Sequence, residues 1–283
     1  MTYEKRVRIF THNAHHPILG YTRLILRLYM KIRFLGTNGW YSTPTGDTPC
    51  ILIETNEQYI VLDAGNGIYK LDRYITENKP ISLFISHFHL DHTSGLHTLP
   101  KFAFPQGIDV YIGKGRTDDF KTLVRPPFTI GFEQRPENIG QLQTSIRLHE
   151  LSETGEYIPF LAMALPQHHA YVDHGYRIEV EGKTIAYTGD CGFTEQAKAL
   201  AKDADLLICE CSNKINETPD TWGHLDPVLA ATLAKESGVK QLLLTHFNAA
   251  IYPTLEDRIW AEDEAKKIFH NTTAARDGME CTV

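Results

Sequence analysis

The stretch Ser86-His87-Phe88-His89-Leu90-Asp91-His92 constrains this chain more than any other. It follows directly on the apolar run Ile81-Ser82-Leu83-Phe84-Ile85, which is too short for a helix and rich in branched and aromatic residues. That run reads as a buried strand. Side chains placed where a strand ends are held by a rigid element, while the turn aims them at one point. Imidazole and carboxylate together suit a borderline divalent ion such as zinc, manganese or iron. Two ligand pairs with different directions suggest two adjacent ions. The bland alternative is a solvated polar loop, but metal-binding side chains at this density seldom arise from loop composition alone.

A dinuclear site needs more donors than one loop supplies, and three further apolar strands end on such groups. His169 lies in Leu165-Pro166-Gln167-His168-His169-Ala170, after the run Phe160 to Leu165. Asp190 ends Thr184-Ile185-Ala186-Tyr187-Thr188-Gly189-Asp190, and His246 ends Gln241-Leu242-Leu243-Leu244-Thr245-His246. All could converge on one edge of a sheet core.

From about Lys31 to Phe269 the sequence resembles the metallo-β-lactamase fold superfamily, and within it the ribonuclease Z-like phosphodiesterases. The matching pieces stand in the family's order: Phe34-Leu35-Gly36-Thr37, Leu62-Asp63-Ala64-Gly65, the His-x-His-x-Asp-His loop, and His169 with Gly175-Tyr176-Arg177 behind it. Thr188-Gly189-Asp190, Glu210, Gly223-His224-Leu225 and Thr245-His246-Phe247 complete the series. One such piece is weak; the ordered series is specific. The resemblance implies an α/β fold, a four-layer αββα sandwich. It also implies that His87, His89 and His169 hold one ion, that Asp91, His92 and His246 hold the other, and that Asp190 bridges them. The chemistry agrees, because a carboxylate has two oxygens and can span ions about 3.5–4 Å apart. The family spacing selects His169 over His168, lying six residues before Gly175. Cys191 follows Asp190 and a thiolate would favour zinc, but the Thr-Gly-Asp match gives Asp190 the role.

The implied activity is metal-dependent hydrolysis of a phosphodiester by a hydroxide held between the ions, with Asp91 orienting or deprotonating that water. The leaving alkoxide needs a proton, and Glu210 and His224 are the candidates to supply it. A carboxylate beside an imidazole fixes its tautomer and favours the charged ring. The structural alternative is that His224 caps a helix and Glu210 is part of the core. Asp63 is expected to buttress a ligand imidazole. Trp40 and Tyr41 could line the substrate mouth, and Tyr171, His174 and Asn248 could touch substrate. His97, His149 and His270 carry no motif and read as structural.

Transfer-RNA-processing relatives commonly insert a long Gly/Pro-rich arm between Gly-Tyr-Arg and Thr-Gly-Asp. Here only Ile178 to Tyr187 separate Arg177 from Thr188, room for a hairpin. Small or cyclic nucleotides are therefore expected over precursor transfer RNA, with no stable nucleic-acid partner. A net charge of −7 points the same way, since phosphate tracking needs clustered Lys and Arg. The same site could instead cleave a lactone, ester or sulfate ester; a two-iron oxidoreductase is a different class on this fold, and a degenerate scaffold a third.

With 42% hydrophobic residues the chain can bury a large core. Residues 1–29 carry Lys5, Arg6, Arg8, Arg23 and Arg27 against Glu4, and read as an extension, a packing arm or an upstream start; the catalytic domain is expected over 30–283. His12, His15 and His16 in that extension read as surface residues. Cys50, Cys191, Cys209, Cys211 and Cys281 form no zinc-finger or disulfide frame, which fits a reducing cytoplasm. No apolar stretch is long enough for a membrane span. A homodimer is expected from relatives.

Strands are expected over Lys31–Leu35, Cys50–Glu54, Tyr59–Asp63, Ser82–Ser86, Asp109–Ile112, Ser145–Leu151, Phe160–Leu165, Tyr176–Glu181, Thr184–Thr188, Leu206–Cys209 and Gln241–Thr245. Helices are expected over Gly67–Glu77, Thr194–Lys202, Asp226–Glu236 and Leu255–His270, the last with Ile259, Trp260, Ala265, Ile268 and Phe269 towards the core. Gly113–Ile139 reads as an irregular segment that could overhang the site or meet a second subunit. Ile85-Ser86-His87-Phe88 and Leu244-Thr245-His246-Phe247 echo one another, as two related halves would.

Overall fold

The computed structural model describes residues 30–130, 144–151, 158–215 and 222–283. The extension 1–29 expected from the sequence lies outside them. The first half supplies β1 (Lys31–Gly36), β2 (Asn38–Gly39), β3 (Cys50–Glu54), β4 (Tyr59–Leu62), β5 (Ile81–Phe84), β6 (Ile108–Gly113) and β7 (Ile146–Leu151). The second half supplies β8 (Leu161–Gln167), β9 (Asp173–Val180), β10 (Lys183–Tyr187), β11 (Leu206–Glu210), β12 (Leu242–Thr245), β13 (Phe247–Asn248), β14 (Thr272–Ala274) and β15 (Glu280–Thr282). Helices are α1 (Leu90–Thr93), α2 (Thr117–Leu123), α3 (Glu195–Ala201), α4 (Pro227–Glu236) and α5 (Leu255–Lys266).

Two large sheets form, ordered β15-β1-β3-β4-β5-β6-β7 and β14-β12-β11-β10-β9-β8. Their inner faces meet through Phe34, Ile51, Ile60, Phe84, Tyr176, Ile185, Ile208 and Leu243. On the outer face of the first sheet, Leu52, Val61 and Leu83 pack under Ile68, Leu71, Leu96 and Leu99. On the outer face of the second, Leu207, Leu242 and Leu244 pack under residues of α3, α4 and α5. Central strands thus bury both faces, which is why they read as continuous apolar runs rather than alternating ones. The result is the expected αββα layering.

Strand direction builds the site. β4, β5 and β6 run parallel in one sheet, and β10, β11 and β12 run parallel in the other. Polar residues at the carboxyl ends of these strands therefore gather along one edge, where open α/β sheets bind ligands. The echoing His87 and His246 segments leave β5 and β12, one in each sheet. A two-residue bridge, β2 with β13, joins the loops across that edge.

Several expectations are corrected. Gly67–Glu77 is a 3₁₀ stretch over Asn66–Arg73, and a second, Ser94–Lys101, follows the His loop. The Gly113–Ile139 segment contains α2, held at its start by Thr117 on Glu150; residues 131–139 lie outside the described chain. The short strands β2, β13, β14 and β15 have too few residues for a period-2 signal. In α5, which stops at Lys266 rather than His270, Ile259 and Trp260 face outwards while Arg258, Ala261 and Ala265 are buried. The reason is that a buried cation replaces the expected aromatic. Arg258 donates to Thr37 Oγ1 at 2.8 Å and to Asn38 Oδ1, with its guanidinium 5.0 Å from the Phe247 ring centre. Helix α5 is fixed by a reciprocal cap between Thr254 and Asp257, and α4 starts with Asp226 capping and Pro227 following.

Candidate metal centre

Every residue expected as a ligand comes to this edge. His87, His89, His169 and Asp190 form one group whose ligand atoms lie within 4.8 Å of one another. Asp91, His92 and His246 form a second. Asp190 stands between them: Oδ2 is 3.8 Å from His87 Nε2 and 3.9 Å from His169 Nε2, while Oδ1 is 3.4 Å from His92 Nε2 and 3.3 Å from His246 Nε2. Each carboxylate oxygen faces one set of imidazoles. Gly189 lets the strand end deliver it, for a Cβ there would stand 2.4 Å from Asp173 Oδ1 and its φ is +62°.

The donor set fits two divalent ions. His87 Nε2, His92 Nε2 and Asp190 Oδ1 are buried with no hydrogen-bond partner, an arrangement costly unless something else satisfies them. His89 Nδ1 and His169 Nε2 face each other at 3.2 Å.

The imidazoles are oriented from behind. Asp63 accepts from Ser86 N–H at 2.7 Å, from Tyr187 O–H at 2.5 Å, and pairs with His92 Nδ1 at 2.8 Å. Asp63 thus holds the place expected of it. His87 Nδ1 lies 3.0 Å from Asp173 Oδ2, which also accepts Asp190 N–H at 2.9 Å. Ser212 Oγ meets His246 Nδ1 at 2.8 Å. Carboxylate or hydroxyl partners on the far nitrogen fix the tautomer and leave Nε2 for an ion. Sequence reasoning missed Asp173, Ser212 and Tyr187. Asp173 is two residues before Gly175-Tyr176-Arg177, the only available cue.

Electrostatics differ between the groups. Burial and the neighbouring His92 lower His87 to about 4, and burial with His87 lowers His89 to about 4. Burial also lowers His169. Burial opposes charge on His92 and His246, but Asp190 with the other nearby carboxylates outweighs it and raises both. Asp91 and Asp190 are held well below the carboxylate range by His92 and His246 despite burial. Burial and the Asp190 charge push Asp173 up.

Glu210 and His224 pair at 2.7 Å through Nδ1. Glu210 is buried and also accepts Cys191 N–H at 3.2 Å and Ser212 N–H at 2.9 Å. The His224 ring centre is 5.1 Å from that of His169 and 5.9 Å from that of His246, so it overlooks both groups. It could also join Asp190 and His246 around an ion. His168 is exposed, and Cys191 is packed in the apolar layer beneath α3 and α4. The described cysteines are all free thiols. His97 and His149 bond to Ser94 O and Asp109, away from the centre. Tyr171 and Trp222 lie 6.0 and 5.9 Å from the His89 ring, and His174 bonds through its N–H to Ser86 O. Asn248 caps Ala250 N–H. Among the described residues, no helix is long and apolar enough to cross a membrane.

Comparison with known proteins agrees with this geometry. Residues 58–247 match the family described as Beta-lactamase superfamily domain. The chain is 27% identical over 218 residues to "Probable metallo-hydrolase YhfI" of Bacillus subtilis, covering 77% of this chain and 86% of that protein. It is 25% identical over 322 residues to a ribonuclease Z of Archaeoglobus fulgidus, covering 90% and 98%. The crystal structure of the metallo-beta-lactamase fold protein YhfI superposes with a TM-score of 0.73 at 21% identity, over 91% of this chain and all (100%) of that one.

Proposed function

This chain belongs to the β-lactamase superfamily, and from that premise we propose that it is a dinuclear-metal phosphodiesterase of the ribonuclease Z-like branch acting on small or cyclic nucleotides. The observation that carries this reading is the split of Asp190, one oxygen towards each set of imidazoles. Two divalent ions held there would activate a water and neutralise charge on a phosphoryl oxygen.

The chain's own groups then have distinct tasks. His87, His89 and His169 would hold one ion, and Asp91, His92 and His246 the other. The Trp40 backbone N–H donates to Asp91 Oδ2 at 2.7 Å and His246 Nε2 lies 3.2 Å from the same oxygen, which fixes the carboxylate that would orient the attacking water. Glu210 holds His224 by Nδ1, and in this reading Nε2 would serve the leaving oxygen. A proton given there relieves the poor alkoxide leaving group. Burial of Glu210 among backbone N–H donors keeps this pair in place without drawing on the ions.

The connection of β9 to β10 supports the choice of a small substrate. Val180 pairs with Lys183, and Glu181 and Gly182 turn the chain at positive φ. Such a two-residue hairpin has no room for a transfer-RNA-gripping arm at this place in the chain. The relatives called ribonuclease Z make ribonuclease activity the natural competitor, and it belongs in the same assay. Zinc is the expected metal, with manganese and iron as the alternatives to load.

The test is hydrolysis of bis(p-nitrophenyl) phosphate and a cyclic-nucleotide panel by wild type and Asp190→Ala, stripped and reloaded with zinc or manganese. Metal-dependent turnover lost in the variant is expected. No turnover by protein carrying two metals would sink the phosphodiesterase reading and bring forward lactones and other esters.

A further inference from the structure

A shallow pocket of about 180 Å³ opens beside Asp91, adjoining the metal centre. Trp40, Tyr41 and Leu90 are its large apolar lining, and they are 66%, 42% and 67% exposed. Ser42, Thr48, Asn66 and Ser94 are its polar lining. Three large, exposed apolar residues lining one pocket are the informative case, unlike apolar residues scattered singly.

The aromatic lining is fixed in advance. Trp40 sits at φ +75°, a conformation a bulky residue rarely adopts, and its backbone N–H is tied to Asp91. Such an outlier points to a functional constraint. Asn38 Nδ2 holds Tyr41 O at 3.0 Å, and the Trp40 and Tyr41 rings meet edge-on at 5.2 Å. Arg258 in turn fastens Asn38 from α5. In the polar lining, Asn66 gives one amide N–H to Ser42 Oγ at 2.9 Å and accepts Ser94 O–H at 2.8 Å. A primary amide has two donors and two acceptor lone pairs, so this one can serve an entering group as well.

We propose that this pocket receives the nucleobase on the arm of the substrate that lies over Asp91. A nucleobase combines a face that stacks on aromatic rings with an edge of donors and acceptors. An alkyl arm would use only the apolar lining, and a polar arm only the polar lining. The volume suits one ring system rather than a second nucleotide. The inference rests on the phosphodiesterase reading, yet it is tested by binding rather than turnover.

Calorimetric titration of the zinc-loaded protein with AMP and with ribose 5-phosphate separates base from phosphate. Wild type should bind AMP roughly tenfold more tightly, the size expected of one base stacked on an aromatic ring. Trp40→Ala should remove most of that advantage and leave ribose 5-phosphate unchanged. Its ring is two-thirds exposed, so truncation leaves no core cavity. Asn66→Ala should weaken AMP by a smaller factor. Equal binding of the two ligands by wild type, or an AMP advantage untouched by both variants, overturns the pocket while diester hydrolysis can still stand. An AMP advantage lost in Trp40→Ala supports the pocket even if no diester is cleaved.

Discussion

At the His87–His89–His169 end of the centre, burial and repulsion between imidazoles favour the neutral rings; at the Asp91–His92–His246 end, carboxylates outweigh burial and favour the charged ones. The first end lies ready for a cation. At the second a proton competes more strongly with a cation, so loading it should release more protons. One carboxylate, Asp190, thus faces two groups of different character. The difference traces to position: Asp91 and Asp63 both lie against His92, whereas His87 has Asp173, whose carboxyl is pushed towards its neutral form.

The sharpest way to break this comparison is His224, which could belong to the second end as a ligand or overlook both as a proton donor. With His224→Ala, a donor role predicts a fall in kcat of about 10²–10⁴-fold with two metals per chain retained, measured by elemental analysis. Glu210→Gln should follow it with a smaller loss. Metal lost in step with activity would make His224 a ligand and give the Asp91 end four donors of its own.

The groups behind the imidazoles come next in size. Asp173→Asn should weaken the ion at the His87 end, and Ser212→Ala the ion at the His246 end, each by about 10–100-fold in chelator competition. Asp173 should cost more, because it orients His87 and also holds Asp190 by its backbone N–H. Equal loss at both ends from either variant would mean that the ions bind as one unit.

Ligand candidates were legible because each closes a short apolar strand, and parallel strands bring their ends to one edge. The loop after β5 was clearest, having its donors adjacent in sequence. Asp173 and Ser212 were not legible, for an Asp opening a strand and a Ser following one are ordinary in any sequence; only tertiary pairing gives them meaning. Ile259 and Trp260 were misread for a related reason: Arg258 takes the buried place beside them. A helix pattern assigns cations to water, and nothing local shows that Thr37, Asn38 and Phe247 enclose this one. The sandwich itself was readable from runs of buried strand, while the two-residue β2–β13 bridge carries no periodicity at all.

The gentlest test concerns the metal-free protein, where the two ends act in separate pH windows. Unfolded His takes its proton near 6.5, while His87 and His89 wait until about 4. The unfolded chain therefore binds more protons between those values, and stability is lost as pH falls from about 6.5 to about 4. His92 and His246 have folded values above 6.5. Their contribution is full below 6.5 and is lost as pH rises through the folded values. Melting temperature should accordingly peak near pH 6.5. His87→Gln should flatten the acid limb alone, and His246→Gln the alkaline limb alone. If either substitution flattened both limbs, the two ends would be titrating as one coupled cluster and their opposite characters would be a single property of Asp190.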